Sequence, residues 1–171
     1  HLCLAHMKSI MKNIKELLKK PQDYDKRAEI MLAGYIAHNG WLDVGRSRGD
    51  WASHMIEHEL SAEYDIAHGA GLAIIFPAWM KYVYKENIDK FLLFGKTLFN
   101  IETQGEEGVL EAIAELEKFY KEIGMPTRMS EAEIENPNIE LMCENAVGDR
   151  ELGNFKTLKR ADVEEIYKLA L

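Results

Sequence analysis

The sequence predicts an all-α fold of several helices. Apolar residues recur at three- and four-residue steps along most of the chain, the period of a helix with one buried stripe. Proline and Asn-Gly or Gly-Met-Pro words punctuate these stretches, and no run alternates apolar and polar residues long enough to argue for a sheet.

Each element follows from the same reasoning. Met7, Ile10, Met11, Ile14, Leu17 and Leu18 form a helical stripe that Pro21 ends. Asp23 or Asp25 then opens a second helix through Ala28, Ile30, Met31, Leu32, Tyr35 and Ile36, which is apolar on most sides and is therefore expected to be buried. Asn39-Gly40 stops it. Residues 41–50 read as a loop, with Asp50 as N-cap of a third helix beginning at Trp51. A further helix is expected from about Gly71 into the 80s, with Pro77 as a kink, followed by helices near 88–100 and 106–123. Gly124-Met125-Pro126 is a break. A weaker segment near 130–147, a loop containing Gly148 and Gly153, and a last helix from about Asp162 to Ala170 complete the chain. Met142 reads as core and the acidic stretch Glu131 to Glu140 as solvated surface.

Composition narrows the function classes. The 171 residues suit one domain with a sizeable core, residues 1–171. A formal net charge of −8 without a basic run repels a phosphate backbone, so nucleic acid is excluded as a partner. The stretch from Gly71 to Met80 is too short to span a bilayer, so no membrane partner is expected. Cys3 and Cys143 make no disulfide framework, which points to a reducing, cytoplasmic setting. The chain begins without Met inside an apparent helix, as a fragment would.

The chemistry is concentrated between Trp51 and Ala73, where His54, His58 and His68 fall within fifteen residues. At ~100° per residue, His54 and His58 lie about 40° apart on one helix face, one turn displaced. Trp51, Met55 and Ala62 share that face, Ile56 and Leu60 the opposite one, and the imidazoles are expected to point inward. A lone histidine would read as a core residue bonded to backbone, Glu57, Asp65 or Tyr64. A cluster of three beside Asp65 and a Gly-x-Gly turn favours a metal ion instead. On one straight helix His54 and His68 would stand ~21 Å apart, whereas ligand nitrogens approach an ion to about 2 Å. The chain must therefore turn back between Ala62 and Ala67, with Gly69 and Gly71 easing the approach. His54-Met-Ile-Glu57-His58 also fits the H-x-x-E-H pattern of inverted zinc hydrolases, a short match that needs a downstream glutamate such as Glu111, Glu115 or Glu117. A helical metal-binding module without enzymatic activity is a third reading. Trp41, Trp51 and Trp79 are candidates to line a substrate pocket or to fill the core.

Taken together, Pro21-Gln-Asp-Tyr-Asp-Lys-Arg27-Ala, Ala37-His-Asn39-Gly40, Gly49-Asp50-Trp51-Ala-Ser-His54-Met-Ile-Glu-His58-Glu-Leu-Ser-Ala and Asp65-Ile-Ala-His68-Gly-Ala-Gly-Leu-Ala73 resemble the iron-containing alcohol dehydrogenases, the butanol dehydrogenase-like branch most of all. Thr157-Leu-Lys-Arg-Ala-Asp162-Val-Glu-Glu-Ile166 is similar to that family's closing helix. The resemblance implies the helical C-terminal domain of a dehydroquinate synthase-like architecture, with an N-terminal α/β domain that binds NAD(P)(H) outside this chain. It implies His54 and His68 as ligands of a divalent metal (Fe2+ by family, with Zn2+ or Mn2+ accepted by the same donors) and His58 as the catalytic residue beside the substrate. The family's remaining two ligands and its pyrophosphate-binding loop are expected before residue 1. The activity implied is hydride transfer between NAD(P)(H) and a small alcohol or aldehyde, in an enzyme that is a homodimer at full length. The isolated chain is expected to hold metal weakly and not to turn over.

Overall fold

A computed structural model describes residues 1–45 and 49–171. Among these residues the α-helices are α1 (Leu2–Lys19), α2 (Tyr24–His38), α3 (Ala52–Tyr64), α4 (His68–Val83), α5 (Ile88–Phe99), α6 (Gly105–Glu122), α7 (Ile139–Ala146) and α8 (Arg160–Leu169). Short 3-10 turns occur at Trp41–Asp43, Tyr84–Glu86 and Met129–Ala132. The extended pairing is confined to one bridge between Leu152 and Leu158. The all-α expectation holds, and no helix among the described residues is long and apolar enough to cross a membrane.

Helix ends lie where the local chemistry puts them. The α1 helix stops at Lys19, ahead of Pro21. Asp23 caps α2, its carboxylate accepting from the backbone N–H of Lys26, and Gly40, with φ of 80°, follows the C-cap Asn39. The α3 helix begins one residue later than expected, at Ala52. The N-cap is Trp51 rather than Asp50, and Asp50 holds the helix start from one residue earlier, its Oδ1 accepting from the Ala52 N–H at 2.8 Å. The same carboxylate reaches across the chain, Oδ2 accepting from the backbone N–H groups of Asn154 at 2.8 Å and Phe155 at 2.6 Å. The 41–50 loop includes Arg46, Ser47 and Arg48, which lie outside the described residues. The α4 helix starts three residues earlier than expected, at His68, and carries Pro77 inside it.

The core sits where α4 meets its neighbours. It packs against α3, α6 and α8, while α7 closes on α3 and α8, and α5 pairs with α6. Ile56, Leu60, Ile74, Ile75, Val83, Val109, Ile113, Ile166 and Tyr167 are all removed from solvent. The Tyr167 hydroxyl donates to the Ile56 carbonyl at 2.7 Å, fastening α8 to the middle of α3 across the buried interior. Met142 is core as expected.

The expected burial of α2 is corrected. This helix packs on α1 through one stripe, with Ala33 buried and Ile30 and Ile36 half-buried, and Met31, Leu32 and Tyr35 face outward: Met31 is 75% exposed and Tyr35 67%. An all-round apolar helix has more faces than one neighbouring helix can cover. Helix period identifies the residues but not which stripe meets the neighbour.

Candidate metal and proton-transfer site

Two helices and the turn between them build the site. The α3 helix carries His54 and His58, and ends at Tyr64. Asp65 then adopts a left-handed conformation, φ 50° and ψ 40°, with its N–H bonded to the Ser61 carbonyl. Asp is one of the few non-glycine residues that tolerates this conformation. The chain turns back within the predicted interval and α4 opens at His68, so the last histidine returns to the first two. Ring centroids of His54 and His68 stand 5.5 Å apart, and those of His58 and His68 5.3 Å.

The direction of the histidine face is corrected. Ile56 and Leu60 are buried, as is Glu57, whereas His58 and Trp51 are exposed and His54 is half-buried. The α3 helix thus buries the stripe opposite its histidines, and the imidazoles gather in an open recess on the outer side. Trp51 stacks edge-on against His54 at 4.9 Å, forming one wall.

Glu57 takes the role of histidine partner that the sequence offered for it. Its side chain is wholly buried and accepts from the Ser61 hydroxyl through Oε1, while Oε2 meets Nδ1 of His68. Gly71, one turn into α4, leaves the room: a Cβ there would overlap Oε1 and come within 2.8 Å of Cδ. The glycine that was expected to ease approach of the histidines serves this carboxylate, and Gly69 faces open space. The signal in the sequence was the i, i+4 pair Glu57 and Ser61 ahead of a Gly-x-Gly word, but a glutamate on a helix ordinarily reads as surface.

The donor chemistry suits a divalent cation. Ligand atoms of Glu57, His58 and His68 lie within 4.8 Å of one another. His54 Nδ1 is buried and, among the described residues, finds no hydrogen-bond partner. A buried ring nitrogen without a partner is unfavourable unless something else engages the imidazole. Burial, then the neighbouring His68 and His58, lower the His54 pKa below the ordinary histidine value. Both effects favour the neutral imidazole, the form that ligates metal. Asp50 lies four residues before His54, yet the three backbone bonds to Asp50 commit that carboxylate to the start of α3 and the 150s loop.

The H-x-x-E-H reading finds no support in this arrangement. A water-activating glutamate needs a carboxylate oxygen free for the water, whereas both Glu57 oxygens are engaged, one by the Ser61 hydroxyl and one by His68 Nδ1. Of the downstream candidates, Glu117 pairs with Lys81 and Glu115 with Lys118. The tryptophans separate likewise. Trp41 and Trp51 are exposed, while Trp79 stacks on Phe76 and lines an apolar cleft of about 360 Å³ with Phe91, Phe94 and Phe155, which none of the three site histidines borders.

Comparison with known proteins places this geometry. Residues 1–171 match the Fe-containing alcohol dehydrogenase family, C-terminal. A probable NADH-dependent butanol dehydrogenase 2 of Bacillus subtilis is 38% identical over 99% of this chain and 45% of its own length. The NADH-dependent butanol dehydrogenase A of Clostridium acetobutylicum is 36% identical over 96% of this chain and 43% of its own. Among solved structures, an NADH-dependent butanol dehydrogenase A from Thermotoga maritima superposes with a TM-score of 0.94 at 43% identity, covering 99% of this chain and 45% of that one. The chain thus spans about half the length of the curated relatives it matches.

Proposed function

Because the chain belongs to the iron-containing alcohol dehydrogenase family, as its C-terminal domain, we propose that it forms the metal-holding part of an NAD(P)(H)-dependent alcohol dehydrogenase or aldehyde reductase. The observation that carries this reading is the convergence of three histidines from α3 and α4, one with a buried ring nitrogen that finds no partner among the described residues. The relatives' names point to butanol and to NADH. A small alcohol or aldehyde is accordingly the proposed substrate class, and the nicotinamide cofactor the proposed hydride carrier. The relatives are about twice as long as this chain, and the chain alone is proposed to lack turnover.

His54 and His68 are the proposed ligands, two imidazoles from different helices whose spacing is fixed by the Asp65 turn. A divalent ion held there supplies Lewis acidity toward the alcohol or aldehyde oxygen. His58 is exposed next to His68 and is the proposed acid–base residue. Its ring nitrogen takes a proton from, or returns one to, the substrate oxygen as hydride leaves or arrives. Trp51 covers one side of His54 and limits water there. Iron, zinc and manganese all accept this donor set, iron being the family's metal.

In the full-length enzyme, His54→Ala is expected to lose bound metal and activity together, and normal metal content in that variant contradicts the ligand assignment. His58→Ala is expected to retain metal, to lower kcat by about 10²–10⁴-fold and to remove one limb of the pH–rate profile. An unchanged profile contradicts its acid–base role.

A further inference from the structure

We propose that Glu57 is a positioning residue: its buried carboxylate holds Nδ1–H of His68, so that the Nε2 lone pair faces the cation site bordered by His54. The proposal rests on the metal-holding reading above and adds a residue that reading does not use.

A carboxylate with no solvent exposure is strongly disfavoured unless its oxygens are engaged. Here both are taken, Oε1 by the Ser61 hydroxyl and Oε2 by the His68 ring. The site is also shaped for it. Gly71 supplies a gap that any side chain would fill, and His68 and Gly71 belong to the first turn of α4, whose free N–H groups favour a negative charge. Ser61 comes from the last turn of α3, so the carboxylate links the two helices that deliver the histidines.

The consequence for His68 is chemical. A neutral imidazole has one N–H and one lone pair. With an acceptor-only carboxylate at Nδ1, the proton resides on Nδ1 and the lone pair on Nε2. The opposite tautomer would set a lone pair against a carboxylate. Histidine ligands whose second nitrogen is fixed in this way hold their orientation and are more basic toward metal. The ring is 48% exposed, so packing alone does not immobilise it and the carboxylate has that task.

The test uses the chain labelled with 15N-histidine, with 113Cd2+ as the metal probe at pH 8. The expected result is cadmium coupling at His68 Nε2 with the Nδ1 proton retained, and cadmium affinity lowered about ten- to a hundredfold in Glu57→Gln. Glu57→Gln is nearly isosteric, and circular dichroism verifies that its helices persist. Coupling at His68 Nδ1 would make Glu57 and that nitrogen direct ligands and overturns the proposal, as does unchanged affinity in Glu57→Gln. Because the chain is expected to hold metal weakly, cadmium is titrated into the millimolar range, and no uptake there means that the metal-holding reading fails for the chain. The tautomer in the metal-free protein then decides separately: Nδ1–H sustains the positioning role and Nε2–H overturns it.

Discussion

Asp50 offers a sharp test of how this chain holds its site. One oxygen accepts from Ala52 N–H and the other from Asn154 and Phe155 N–H, at 2.8, 2.8 and 2.6 Å. The residue thus fixes the start of α3, one turn ahead of His54, to a loop a hundred residues later in the sequence. Asp50→Asn keeps the shape but leaves one acceptor oxygen and adds an NH2 group. If that oxygen serves Asn154 and Phe155, the NH2 opposes the Ala52 N–H, and one charge-assisted bond is lost while two become neutral. A bond to a charged group contributes about 1.5–3 kcal/mol and a neutral one about 0.5–1.5. The summed effect is about 5 kcal/mol of stability. With a urea m-value of about 2 kcal/mol/M, the midpoint falls by about 2.5 M at constant m. Urea unfolding followed by circular dichroism measures this. A loss below about 0.5 kcal/mol would refute the claim that Asp50 clamps the two segments.

Two further perturbations probe the scaffold. Tyr167→Phe removes the donor to the Ile56 carbonyl while leaving the ring in place. It is expected to cost about 1 kcal/mol, or a Tm drop of roughly 2–4 °C for a chain of this size, and an unchanged Tm contradicts the role of that bond. Glu131 has its carboxyl pKa lowered from 4.5 to about 2, first by the Lys121 ammonium and then by the Thr127 N–H. The folded state therefore binds fewer protons than the unfolded state between those values, and its stability falls as pH drops through that window. Glu131→Gln is expected to flatten the fall in unfolding free energy below pH 4.5, and an equal slope in both proteins argues against the pairing.

Much of this fold was legible because helix ends are local. Pro21, Asp23, Asn39-Gly40 and Gly124 act through fixed φ, a side-chain cap or a left-handed backbone, and each works within a few residues. The turn between His54 and His68 was legible for a different reason, since only a reversal brings two such residues to one ion. Which side of a helix is buried is not local. The stripes of α2 and α3 are visible in the sequence, but which face of each is covered is set by how the helices pack: α4 and α7 against α3, and α1 against α2. Glu57 shows the limit most clearly. Its burial depends jointly on Ser61, His68 and the missing side chain of Gly71. A carboxylate considered by itself gives every reason to expect solvent.

The central claim is that His54 and His68 share one divalent cation. Crystals of the chain soaked in Zn2+ and recorded at the zinc edge test it directly. The account predicts an anomalous peak about 2.0–2.1 Å from a nitrogen of His54 and from Nε2 of His68, with Glu57 one shell further out. A peak bound elsewhere, or one at this cluster that leaves His54 unligated, would contradict it.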